Sequence, residues 1–176
     1  SLGHRIIKPL PALTALRCRE AFYGRLAGLR MEAVVRILAD GKELASDRGE
    51  VQFTKNGISG IPVFQVSRFA VRALDEGKKV EGRLDLLPSL TGKGELEKFF
   101  QNRLRQGGWK GSRQFLTGLF PEKMSLCLLE RAGLSKDRKA EEWDEKELGK
   151  LLSLVRDFQT EIVRGIRLSM LYLLLM

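Results

Sequence analysis

The sequence predicts an α+β protein, in which a small antiparallel β-barrel lobe carries an inserted or appended helical lobe. Three observations lead to this class. Much of residues 13–87 alternates apolar with polar side chains, as half-buried strands do. Asp40-Gly41 separates two of these runs, and both residue types tolerate the positive φ that a tight hairpin turn requires. Beyond Pro88 the apolar spacing lengthens to the helical repeat, so helices replace strands.

Taken in order, strands are expected at 13–18, 29–38, 42–54 and 80–87, broken by one helix near 60–76. Short antiparallel strands joined in this way tend to close into a barrel, which removes exposed edges. The barrel lobe is drawn over 1–90. Val51 and Phe53 alternate with Gln52 and Thr54, after which Gly57, Ser59 and Gly60 read as a turn. Ser59 is the expected N-cap of the next helix, and Pro62 falls in its first turn, where a missing N–H costs least. A strand therefore runs through a short hinge into a helix N-terminus, whose unpaired N–H groups suit an anion or a cofactor.

Residues 91–158 form the helical lobe, with three or four short helices. Leu96, Phe99 and Phe100 share a face until Gly107-Gly108. Pro121 opens a second helix, with Met124, Cys127 and Leu128 on one side, and Gly133 closes it. Asp144 and Glu147 form a capping-box variant ahead of Leu148, Leu151, Leu152 and Val155, which recur on one helical face. Residues 159–164 read as a strand returning to the barrel, so that 159–176 comprise this strand and an apolar tail.

Composition narrows the function. At 176 residues and 43% hydrophobic the chain can bury a real core and is not disordered. Cys18 and Cys127 do not make a disulfide framework, and with no signal peptide at its start a cytoplasmic setting is expected. The apolar run 170–176 is shorter than the roughly 20 residues of a membrane-spanning helix. His4 is the only histidine, so Ser59 in Gly57-Ile58-Ser59-Gly60 lacks a base near it for hydrolysis, and no metal-ligand spacing is present. A phosphate-binding G-x-x-x-x-G-K-[ST] loop is absent, and Thr91-Gly92-Lys93-Gly94-Glu95 does not complete a G-x-G-x-x-G fingerprint.

Three stretches carry a family resemblance: Ser-Leu-Gly-His-Arg-Ile-Ile-Lys-Pro-Leu-Pro-Ala-Leu-Thr-Ala-Leu-Arg at 1–17, the hinge segment at 49–67, and Arg-Leu-Asp-Leu-Leu-Pro at 83–88. In this order they resemble the BaiN/YhiN-type flavoproteins, the NAD(P)/FAD-dependent oxidoreductases also grouped as aminoacetone-oxidase-family FAD-binding enzymes. The match covers roughly the first half of the chain. Lys55 and Asn56 stand where the family often has His and an aromatic residue, and Ile61 precedes Pro62 where Pro commonly follows the glycine directly. The resemblance implies that the FAD-binding domain is built from the two ends of a longer protein, with this chain as the segment inserted between them. It implies FAD, and possibly NAD(P)H, as cofactors of the intact protein, with none bound by this chain alone. The missing FAD-binding domain and a small-molecule substrate are the implied partners. Gly57, Ile58, Ser59 and Gly60 are then expected near the flavin, and the isolated chain is expected to be inactive.

The net charge of +9 raises a second reading, a basic small-barrel module that binds nucleic acid. Its candidate patch is Lys98, Arg103, Arg105, Lys110 and Arg113, which occur without an intervening acid and with Phe99, Phe100 and Trp109 among them. Exposed aromatics stack on bases while cations neutralise phosphates. Helical spacing with Leu96 instead assigns Phe99 and Phe100 to the core, and the remaining charge is spread along the chain.

Overall fold

A computed structural model describes residues 10–165; His4 and the apolar run 170–176 lie outside them. Six strands form a closed antiparallel barrel in the order β1-β4-β3-β2-β5-β6. They are β1 (Leu16–Cys18), β2 (Arg30–Ala39), β3 (Lys42–Thr54), β4 (Gly57–Ser59), β5 (Val80–Asp85) and β6 (Phe158–Gly165). Pairing of Leu16 with Gly165 closes the ring, so the barrel has no free edge. Asp40 and Gly41 both have positive φ at the β2–β3 turn.

Side chains alternate as strands require. Ala33, Val35 and Ile37 of β2, Val51 and Phe53 of β3, and Val80 and Leu84 of β5 are buried, while Arg36, Arg83 and Asp85 lie on the outer face. The helix α2 (Ile61–Asp75) touches strands on opposite sides of the ring, β3 and β6 among them. It therefore stops one mouth of the barrel, turning Val63, Val66, Ala70 and Val71 inward. Each buried valine among them contributes about 1.5–3 kcal/mol.

Between β5 and β6 the chain makes a helical excursion: α3 (Glu95–Gly107), α4 (Ser112–Phe115), α5 (Glu122–Ala132), a 3-10 turn at Ala140–Glu142, and α6 (Glu145–Arg156). Its buried residues belong to the same hydrophobic cluster as the barrel's. The capping box ahead of α6 is formed as its spacing predicts, with Glu147 N–H donating to Asp144 at 2.7 Å and Asp144 N–H to Glu147 at 2.9 Å. Outer-face charges join the excursion to the barrel. Asp157 accepts from Arg36 and Arg83, each at 3.2 Å, and Asp85 accepts from Arg156 at 2.9 Å.

Four local expectations are corrected. The first strand is only Leu16–Cys18 because Leu13 takes a positive φ of 52° and Thr14 N–H donates to Ser67 Oγ of α2, diverting this segment from the sheet. The strand expected to reach 87 stops at Asp85, where Leu86 N–H turns to Val155 O and Leu87 N–H to the Asp85 carboxylate. A short helix, α1 (Tyr23–Leu26), was not signalled by periodicity. The hinge is also different: Gly57–Ser59 is a strand, and Gly60, not Ser59, caps α2 without a side-chain bond.

Candidate functional site

The hinge became a strand because its glycines let three backbone segments meet. Gly57 pairs with Arg17 on one side and Thr54 on the other. Its φ is 151°, and a Cβ there would overlap Leu16 O and sit 2.8 Å from Cys18 N. At Gly60, with φ 106°, an added Cβ would overlap Glu50 O. Across the bend, a Cβ on Gly49 would stand 3.3 Å from the Pro62 ring. Larger residues at Gly57 or Gly60 would force β1, β3 and β4 apart.

The bend opens onto a depression of about 430 Å³ lined by Arg30, Arg48, Gln52, Ser59, Ile61 and Phe64, among others. Ile61 is 73% exposed at its rim. The first-turn N–H groups of Ile61 and Val63 have no carbonyl to bond within α2, and Pro62 has none to offer. That end of α2 carries partial positive charge. Two arginines, Arg30 and Arg48, border it together with Glu50, placed by the β2–β3 register, and each is paired with an acid. Glu32 lies directly opposite Glu50, and such like-charged pairs are unfavourable unless compensated. Arg48 bonds Glu32 at 2.9 Å and Arg30 bonds Glu50 at 3.1 Å. Both arginines escaped the sequence reading because their approach to the hinge depends on cross-strand register, although the Arg48-Gly49-Glu50 run was a usable signal.

Beside the hinge, Cys18 N–H donates to Asn56 O at 2.8 Å. Burial pushes the Cys18 thiol up to about 11 and holds the Tyr23 hydroxyl well above its ordinary value. Glu20 is bonded by Thr160 Oγ1–H and by Glu161 N–H, the latter at 2.8 Å. These groups are held in their neutral or satisfied forms, so the thiol is no nucleophile.

The second candidate patch is only partly assembled. Arg103 donates to Phe115 O at 2.8 Å and to Thr117 O at 2.7 Å, and Arg113 pairs with Glu122. Phe100 is fully buried and Phe99 half-buried. Arg103 and Lys110 line one depression with Gln106 and Phe115, and Lys110 also lies against Trp109.

The barrel is not a dinucleotide-binding fold of the parallel α/β kind. Such a fold needs a parallel strand–helix–strand unit with a glycine-rich turn, and the barrel pairings are all antiparallel.

A closed antiparallel barrel with a helical excursion before its last strand matches the HI0933-like protein barrel and H2TH domain over residues 10–168. The chain belongs to this family, the BaiN/YhiN-type flavin-dependent oxidoreductases that its sequence resembles. It is 38% identical over 142 residues to the 3-dehydro-bile acid delta(4,6)-reductase of Clostridium scindens. That alignment takes in 81% of this chain and 34% of the relative, so the chain spans about a third of the relative's length. No helix among the described residues is long and apolar enough to cross a membrane.

Proposed function

We propose that this chain is the substrate-side domain of a flavin-dependent NAD(P)H oxidoreductase, inserted in an FAD-binding domain formed by the rest of the protein. It covers the flavin site and does not turn over substrate alone. The observation that carries this reading is the hinge itself: glycine-dependent close packing ends in a solvent-open depression with a bare isoleucine at its rim. A docked domain would cover Ile61 together with the open depression at whose rim it stands.

Two further facts support it. Leu16 pairs with Gly165, so the chain enters and leaves the barrel at one place, as an insertion must. The barrel pairings are all antiparallel, unlike the parallel strand–helix–strand unit that cradles a dinucleotide, which fits an FAD-binding domain formed by other parts of the protein. In the intact protein Gly57, Ile58, Ser59 and Gly60 lie nearest the ring. The positive end of α2 favours negative charge beside it, and the apolar rim excludes water. The FAD-binding domain holds the cofactor, which supplies the hydride chemistry.

The test is Ile61→Trp in the intact, flavin-loaded protein. Tryptophan in contact with the isoalloxazine quenches its fluorescence, so emission should fall, while Lys42→Trp at the hairpin tip should leave it unchanged. Undiminished emission in Ile61→Trp, with flavin content equal to wild type, would remove the hinge from the ring. The nucleic-acid reading gains little from the five-residue patch, since Arg103 and Arg113 are already engaged within the fold.

A further inference from the structure

Trp109 is 63% exposed, although an indole gains more from burial than almost any other side chain. It follows the Gly107-Gly108 end of α3, and its surroundings are basic. Lys110 Nζ stands 5.5 Å from its ring centroid.

Backbone hydrogen bonds bring a second basic segment to the same place. Ser112 N–H donates to Arg138 O at 2.8 Å, Arg113 N–H to Lys136 O at 3.2 Å and Ala140 N–H to Lys110 O at 3.0 Å. Gly111 and Lys139 form an isolated antiparallel bridge. Trp109, Lys136 and Lys139 therefore line one depression of about 590 Å³, with Asp137 as an acid in its wall. Lys110 and Lys136 have no ion pair among the described residues, and Lys139 reaches Glu141 only at 3.7 Å. Lysines on a solvated face need no exposed indole beside them. An aromatic plane and ammonium groups on a hydrogen-bonded frame match a ligand that joins a planar ring to phosphate.

We propose that Trp109, Lys136 and Lys139 bind a nucleotide unit, the base against the indole and the phosphates at the ammonium groups of Lys136 and Lys139, with Lys110, which lines the neighbouring depression, adding positive charge beside the ring. The unit can come from a free dinucleotide such as NADP⁺ or from a nucleic-acid single strand, which share this chemistry. The inference does not depend on the hinge lying near a flavin.

The chain has two tryptophans. Trp143 is anchored through its indole N–H to Ser112 Oγ at 3.1 Å and packs edge-on to Phe115, so quenching by ligand reports chiefly Trp109. NADP⁺, ADP, a short oligothymidylate and inorganic pyrophosphate are titrated into the 176-residue chain at low salt. Saturable quenching by NADP⁺ and ADP but not by the oligonucleotide supports the proposal with a free dinucleotide as source; the reverse supports it with a strand. In either case the double variant Lys136→Glu/Lys139→Glu weakens binding about tenfold or more, because both phosphate contacts are lost. Trp109→Leu abolishes retention of radiolabelled ligand in equilibrium dialysis while leaving the circular dichroism unchanged. No saturable quenching by any nucleotide, pyrophosphate binding as tight as ADP, or a charge-reversed variant that binds like wild type would each overturn the proposal.

Discussion

Replacing Gly57 by alanine tests the packing on which the hinge depends. Two costs add. A non-glycine residue at φ 151° is strained, at about 1–3 kcal/mol. The new methyl also overlaps Leu16 O and stands 2.8 Å from Cys18 N. Those are backbone atoms of the paired strand and cannot swing aside, so about 1–3 kcal/mol of overpacking follows. The sum is about 4 kcal/mol, a large share of the roughly 5–15 kcal/mol that stabilises a typical domain. At roughly 2–4 °C per kcal/mol for a chain of this size, the midpoint should fall by roughly 8–16 °C. Thermal and urea unfolding followed by circular dichroism would measure it. The control is Gly41→Ala, which has a positive φ of 80° but nothing within 4 Å of the added methyl, so it loses only about 1 kcal/mol to backbone strain. Equal losses in the two variants would show that β1 and β4 do not approach as described and would refute the reasoning.

Three other outcomes are expected. Asp144→Ala removes the acceptor for Glu147 N–H and should cost about 1–2 kcal/mol in urea unfolding, with Asp144→Ser recovering most of it. Asp157→Ala removes the carboxylate shared by Arg36 and Arg83, leaving Arg83 with Glu81 and Arg36 with Arg156 O while both Nε atoms stay buried without a partner, and should cost about 2 kcal/mol; Glu130→Ala, which breaks only an exposed pair with Arg25, should cost under about 1 kcal/mol. Cys18 rises from an ordinary 9.0 to about 11 in the folded protein, through burial first. The unfolded chain then releases its proton at lower pH, so this stability is whole below pH 9 and is lost as pH climbs to 11, by about 3 kcal/mol. Cys18→Ala should flatten that limb of the pH–stability profile, and an unchanged slope would assign it elsewhere.

Elements whose causes are local were legible. The strand Lys42–Thr54 was foreseen to the residue, and α2 to within one residue at either end, because alternation, a hairpin turn and a proline in the first turn all act within a few positions. The capping box was likewise legible from Asp144 and Glu147 alone. Gly57–Ser59 was not, since glycine and serine have turn propensity and only pairing on both sides makes them a strand. The same limit hid the approach of Lys136 and Lys139 to Trp109, which rests on bonds between segments about 25 residues apart.

By itself the sequence determined the class, an antiparallel barrel with a helical excursion, and the family, through the residues at 1–17, 49–67 and 83–88. Periodicity and turn chemistry act between near neighbours and are written along the chain. Only the tertiary structure decided where the barrel closes, which arginines border the hinge, and which charges of the basic segments remain unpaired. Those depend on register and on contacts between distant residues, where backbone pairing and burial override what each residue prefers alone.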